Sequence, residues 1–152
     1  MKVKIKKVPA DGDCFYHAIA EHLGTIRIGS MNANPSASLL RKIVSKKMKK
    51  YIEDNNDLRS LAIPTIQDEN MTLSEYIKQT KKGMWAGPIE IMILAKAMNV
   101  RIQVYDKDEM VRKGKGVYKV LKEPIMDIGD KRKTPMMLIL HGVSRGGRHY
   151  DV

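Results

Sequence analysis

The spacing of apolar positions along the chain changes period several times, and each change predicts an element. Val3 and Ile5 alternate with lysines, so residues 2–8 read as a short edge strand with lysine outward. A polar turn over 11–14 follows. Phe15, Ala18, Ile19 and Leu23 then recur at helical spacing until Gly24. Residues 25–37 hold Gly29, Ser30, Asn32, Asn34 and Pro35, a loop composition, and residues 54–70 are also loop-rich. Between them Leu39, Leu40, Ile43, Val44, Met48 and Ile52 form the apolar stripe of a helix whose other face is Lys and Arg. Thr72-Leu73-Ser74-Glu75 is a capping box, with Met71 and Tyr76 placed as a hydrophobic staple, and Gly83 stops the helix it starts. Pro88 suits the first turn of a helix through Ile89, Met92, Leu94, Ala95 and Met98, with Asn99 as its stop. That helix is apolar over most of its surface, which predicts a buried central position.

The period then shortens to two. Val100, Ile102 and Val104 alternate with Arg101, Gln103 and Tyr105, and Val117–Leu121 follows a Gly114-Lys115-Gly116 turn. Met136–Leu140 is a continuous apolar run, as expected of a central strand covered on both faces, and 142–148 reads as a flexible loop. Helices first and strands later predict an α+β or mixed α/β fold, a central β-sheet packed between helices in one domain over 1–152.

Composition narrows the setting. The chain is 43% hydrophobic but has no apolar run of spanning length, so no membrane association is expected. Its basic start meets Pro9, Asp11 and Asp13 where a signal peptide needs an apolar stretch, which predicts an intracellular, cytoplasmic protein. A single cysteine, Cys14, cannot close an internal disulfide and fits a reducing compartment. The net charge of +11 attracts nucleic acid or acidic protein faces. Because the 28 basic residues are scattered in sequence and aromatics are 5%, a solubilising surface is the favoured reading, with non-specific nucleic-acid contact as a side property. A monomer is expected.

Chemistry concentrates at the two ends. Cys14 opens a helix, where backbone N–H groups and the helix dipole lower a thiol pKa from roughly 8.5 toward neutrality. The turn Asp11-Gly12-Asp13 can aim backbone N–H groups at an oxyanion beside it. His149 can serve as general base, and Asp151, two strand positions on, can orient it, while Tyr150 packs on the other side. A lone cysteine opening an apolar helix is ordinarily a small buried hydrophobe. The acidic turn and the His-x-Asp pair favour a nucleophile instead. His17 reads as structural, His22 as a surface helix residue and His141 as the end of the core strand. A zinc site, a calcium loop and a Walker phosphate loop all lack their required spacing, and the eleven methionines read as core filler.

Asp11-Gly12-Asp13-Cys14, Trp85-Ala86-Gly87 leading into Ile89-Glu90, Ile102–Tyr105 and His149-Tyr150-Asp151 together resemble the ovarian tumour (OTU) cysteine proteases. These are papain-like deubiquitinases, many encoded by viruses. The resemblance implies hydrolysis of isopeptide bonds after the C-terminal Gly-Gly of ubiquitin, with Cys14 as nucleophile, His149 as base and Asp151 as orienting acid. Asp11 matches the family's first Asp, in the oxyanion loop with Gly12 and Asp13. Trp85 and Gly87 would frame the substrate channel, although Trp85 fits core packing equally well. The family often has Trp-Gly-Gly where this chain has Trp85-Ala86-Gly87. Ubiquitin's tail carries arginines, so Asp13, Glu21, Asp68, Glu69 and Glu90 are expected candidates to line its path, with loops 25–37 and 54–70 shaping the contact. No metal or organic cofactor is implied; the partner is ubiquitin, polyubiquitin or another ubiquitin-like modifier. The alternative is a catalytically silent OTU scaffold that binds ubiquitin or nucleic acid.

Overall fold

A computed structural model describes residues 2–4, 13–23, 26–28, 31–33, 36–83, 86–144 and 147–151. Helix α1 (Cys14–Leu23) begins at the cysteine, as its spacing predicts, and buries Phe15, Tyr16, Ala18 and Ile19. Within 25–37, expected as loop, strands β2 (Ile26–Ile28) and β3 (Met31–Ala33) pair antiparallel.

Helix α2 (Ala37–Asp54) is capped by Ser36, whose hydroxyl accepts from the Leu39 N–H at 3.0 Å. Leu40, Val44, Met48 and Ile52 recur every four residues and are fully buried. The next stretch corrects the sequence reading, because most of 54–70 is helix α3 (Asn56–Asp68). Asn55 caps it, accepting from Leu58 N–H at 2.9 Å, and Leu58, Ala62 and Ile66 supply a one-residue-wide core face. Pro64 lies on the exposed side, so the composition looks like a loop although the buried stripe is helical. Helix α4 (Leu73–Lys82) starts at the Thr72 cap and ends at Gly83, whose φ of +124° favours glycine. Helix α5 (Pro88–Met98) is the buried central helix the pattern predicts, and ends at Asn99 in the left-handed region.

The main sheet has the order β7-β4-β8-β9, built from β4 (Arg101–Asp106), β7 (Met126–Ile128), β8 (Pro135–Ser144) and β9 (Gly147–Asp151). β4 and β8 run parallel in the centre, and β9 returns antiparallel along β8 with Tyr150 opposite Leu140. Strand β8 runs on to Ser144 and β9 resumes at Gly147, so most of the stretch read as a flexible loop is strand; residues 145 and 146 lie outside the described set. The apolar run in β8 divides by alternation. Leu138 joins the core under the helices, while Ile139 packs with Tyr105, Met110, Tyr118 and Val120 on the other side. That second cover is a ribbon of β5 (Met110–Gly114) and β6 (Val117–Val120), with β1 (Lys2–Lys4) at its edge. β1 is the described part of the strand expected over 2–8.

Two features fix the edge of the main sheet. Arg101 makes a two-pronged contact with Asp127 at 2.9 and 2.7 Å, joining β4 to β7 and holding that carboxyl well below the usual carboxylate range. Gly129 follows with φ of +110°, where an added Cβ would stand 2.5 Å from the Val100 carbonyl oxygen. No described helix is long and apolar enough to cross a membrane.

Candidate active site

Cys14 sits at the N-terminus of α1 with 1% of its surface exposed. Asp13 precedes it, and the Asp13 carbonyl accepts the His17 N–H at 2.9 Å, closing the first turn around the cysteine. α1 packs against β9, the strand that carries His149 and Asp151 on either side of Tyr150. The join is aromatic. Phe15, next to Cys14, meets the Tyr150 ring edge-on at 5.6 Å, and both side chains are essentially fully buried. Tyr150 therefore packs, as alternation predicts. Its hydroxyl also donates to the Ala86 carbonyl at 3.3 Å, bringing the Ala86-Gly87 segment to the same place. Thus the fold gathers the backbone of three stretches, 13–14, 86–87 and 149–151, that are far apart in sequence. Asp11, Gly12 and Trp85 lie outside the described residues.

A buried polar cluster underlies these stretches. Arg41 of α2 is 5% exposed and places its Nε and Nη2 at 2.7 and 2.6 Å from one carboxylate oxygen of Asp13. Its Nη1 donates to the Thr80 carbonyl at 2.7 Å, and its guanidinium lies 4.6 Å over the Tyr16 ring. Glu90 of α5, 1% exposed, accepts from the Tyr76 hydroxyl at 2.6 Å and from the Gly87 N–H at 2.9 Å. Burial pushes the Glu90 carboxyl up from its ordinary range, although both hydrogen bonds oppose the shift. Burial and the nearby Glu90 likewise raise the Tyr16 hydroxyl, which has no hydrogen-bond partner among the described residues. Gly87 serves here as the N-terminal cap position of α5, held by Glu90.

Several sequence-based assignments change. Glu90 is committed to this buried cluster and cannot line a channel for a basic peptide. Asp13 already faces Arg41. His22 is half-buried rather than a free surface residue: its Nε2 lies 2.7 Å from the Met137 carbonyl oxygen and pins α1 to β8. Arg41 went unmarked in sequence, although its position is legible: with Ala37, Val44 and Met48 it falls on the buried side of α2 at helical spacing.

The basic residues also prove less scattered in space than in sequence. α2 and α4 pack together and carry nine Lys and Arg against three Asp and Glu, a net charge of +6 where the whole chain has +11. Eight of the nine are exposed lysines. Lys42, Ser45, Lys46, Ile77 and Lys81 line a groove of about 400 Å³ between the two helices. Among the described residues, no group of His, Cys, Asp and Glu is arranged to hold a metal ion.

The profile of the family described as OTU-like cysteine protease matches residues 9–150. Among solved structures, the Hazara virus OTU bound to ubiquitin superposes with a TM-score of 0.57 at 20% identity, covering 98% of this chain and 79% of that one. The OTU domain protease from Taggert virus gives 0.53 at 15% identity over 99% and 82%. An OTU deubiquitinase from Wolbachia pipientis wMel gives 0.54 at 14% over 99% and 86%. At these identities the likeness is one of fold. No curated protein sequence matches the chain at a significant level.

Proposed function

The chain belongs to the OTU-like cysteine protease family, and from that membership we propose that it is a thiol-dependent deubiquitinase. The Cys14 thiolate attacks the carbonyl carbon of the C-terminal glycine of ubiquitin. His149 protonates the departing lysine amine and then activates the water that releases the thioester, and Asp151 orients the imidazole. Backbone N–H groups of the Asp11-Gly12-Asp13 turn hold the oxyanion, and the Trp85–Gly87 segment flanks the incoming tail. The observation that carries this reading is the Phe15–Tyr150 contact, which seats the start of the cysteine's helix on the His-x-Asp strand. The chemistry calls for no metal or organic cofactor. The reading includes a monomeric enzyme in a reducing, cytoplasmic compartment, the host's if the chain is virus-encoded.

The test is incubation with full-length ubiquitin bearing a thiol-reactive group at its C-terminus. A covalent adduct on Cys14 is expected. A thiol that reacts with small alkylators but not with this probe sinks ubiquitin as the substrate and leaves another modifier or a peptide.

A second reading is favoured by one observation, the lysine concentration on α2 and α4, and coexists with the first. There the chain binds single-stranded nucleic acid through phosphate contacts, without base recognition. Titration of a labelled single-stranded RNA should weaken with salt at a log–log slope on the order of −2 if the groove's three lysines each meet a phosphate. The triple variant Lys42→Glu, Lys46→Glu, Lys81→Glu should abolish most of that binding. Unchanged affinity in the variant would remove the groove from consideration.

A further inference from the structure

We infer that Arg41 is a positioning residue for the nucleophile, setting the geometry and the local charge of the Asp13–Cys14 junction. The inference rests on the assignment of Cys14 as nucleophile. Arg41 touches α1 at two points that bracket the cysteine, through the Asp13 carboxylate before it and the Tyr16 ring after it. Those points are three residues apart, one helical turn, so a single rigid guanidinium fixes the turn in which Cys14 sits. Its third contact anchors it from behind. The Thr80 carbonyl belongs to the last turn of α4, where helical carbonyls lack intrahelical partners, and Arg41 supplies the donor.

Two arguments separate positioning from plain stabilisation. Burying a guanidinium is costly, and apolar residues of similar volume often replace buried ion pairs without loss of stability. A leucine or methionine at position 41 would continue the apolar face of α2, so packing alone gives no reason for arginine. Charge does give one. Asp13 is adjacent to Cys14, and an uncompensated carboxylate there opposes formation of a thiolate. Arg41 neutralises it at 2.6 Å. Glu90 is a second carboxyl whose field couples to the guanidinium. The ionisable positions on elements packed against α1 are Arg41, five exposed lysines, Tyr51, Glu53 and Asp54 of α2, His141 of β8, and Arg148, His149, Tyr150 and Asp151 of β9; α1 itself carries Tyr16, His17, Glu21 and His22.

The test reads the Cys14 thiol directly, as the pH profile of its alkylation by iodoacetamide, so it does not depend on ubiquitin being the substrate. Arg41→Met should move the midpoint up by about one pH unit, because a positive charge beside the Asp13–Cys14 junction is removed. Asp13→Asn, with Arg41 retained, should move it down. The double variant should return it toward the wild-type value. If ubiquitin is hydrolysed, Arg41→Lys should lower kcat by as much as about 10²-fold with KM changed little, since lysine keeps the charge but loses the fork. Asp13 has a side chain 41% exposed, so Asp13→Asn should fold even where Arg41→Met does not. Coincident profiles for wild type and the folded variants would overturn the inference. Opposite shifts without any ubiquitin adduct would support it while removing ubiquitin as substrate.

Discussion

Cys14→Ala should abolish both the covalent ubiquitin adduct and hydrolysis of polyubiquitin, with activity falling on the order of 10⁴-fold or more. The substitution removes one sulfur from a site 1% exposed in the core, so its effect on stability should be about 1 kcal/mol or less. The variant therefore remains folded and should still bind ubiquitin, which separates loss of chemistry from loss of structure. A graded series sharpens the assignment. His149→Ala should approach the Cys14→Ala defect, because an unactivated thiol is left at neutral pH. Asp151→Ala should retain roughly a hundredfold more activity, since an orienting residue costs less to lose than the nucleophile. The measurement is cleavage of a fluorogenic ubiquitin substrate, with circular dichroism to confirm folding. Activity surviving in Cys14→Ala would end the protease assignment, whatever the other two variants did.

The parts of this site that sequence makes legible are those with a short, local signature. Cys14 at a helix start needs only a polar turn followed by 3.6-residue spacing, and α1 begins at that residue. The Thr72 capping box and the buried helix from Pro88 are equally local, and both are present. The wider arrangement depends on which chains of residues meet. Arg41 and Asp13 are 28 residues apart, and Tyr150 and Ala86 are 64 apart, so neither contact leaves a mark in spacing. The sequence could only have flagged Arg41 and Glu90 as charges out of place on apolar faces. α3 was hidden for another reason. Three buried residues suffice to seat it, and the polar remainder with Pro64 outweighs them in any compositional reading. The clustering of charge is likewise a tertiary fact, because α2 and α4 contribute separate runs of lysine that packing brings together.

The largest loss of stability should come from Tyr150→Ala. Its ring is 1% exposed, packs edge-on against Phe15 at 5.6 Å and ties the end of β9 to Ala86 through its hydroxyl. Truncating a buried aromatic side chain costs about 3–5 kcal/mol, and for a protein of this size that lowers Tm by on the order of 10 °C. Tyr150→Phe should cost only about 1 kcal/mol, because it keeps the ring and removes one long hydrogen bond. The functional consequence is separable from the stability loss. β9 is an edge strand, paired to β8 on one side and held down on α1 through this ring. Without the ring, positions 149 and 151 lose the anchor between them, and kcat should fall even at temperatures where the variant is fully folded. Leu58→Ala is the matched control, a 2% exposed core residue on α3 remote in sequence from all three stretches of the site. It should lower Tm substantially, by about 3 kcal/mol of stability, while kcat at the same permissive temperature stays near wild type. If Tyr150→Ala kept its kcat as well as Leu58→Ala does, the aromatic seat would be a core contact and nothing more.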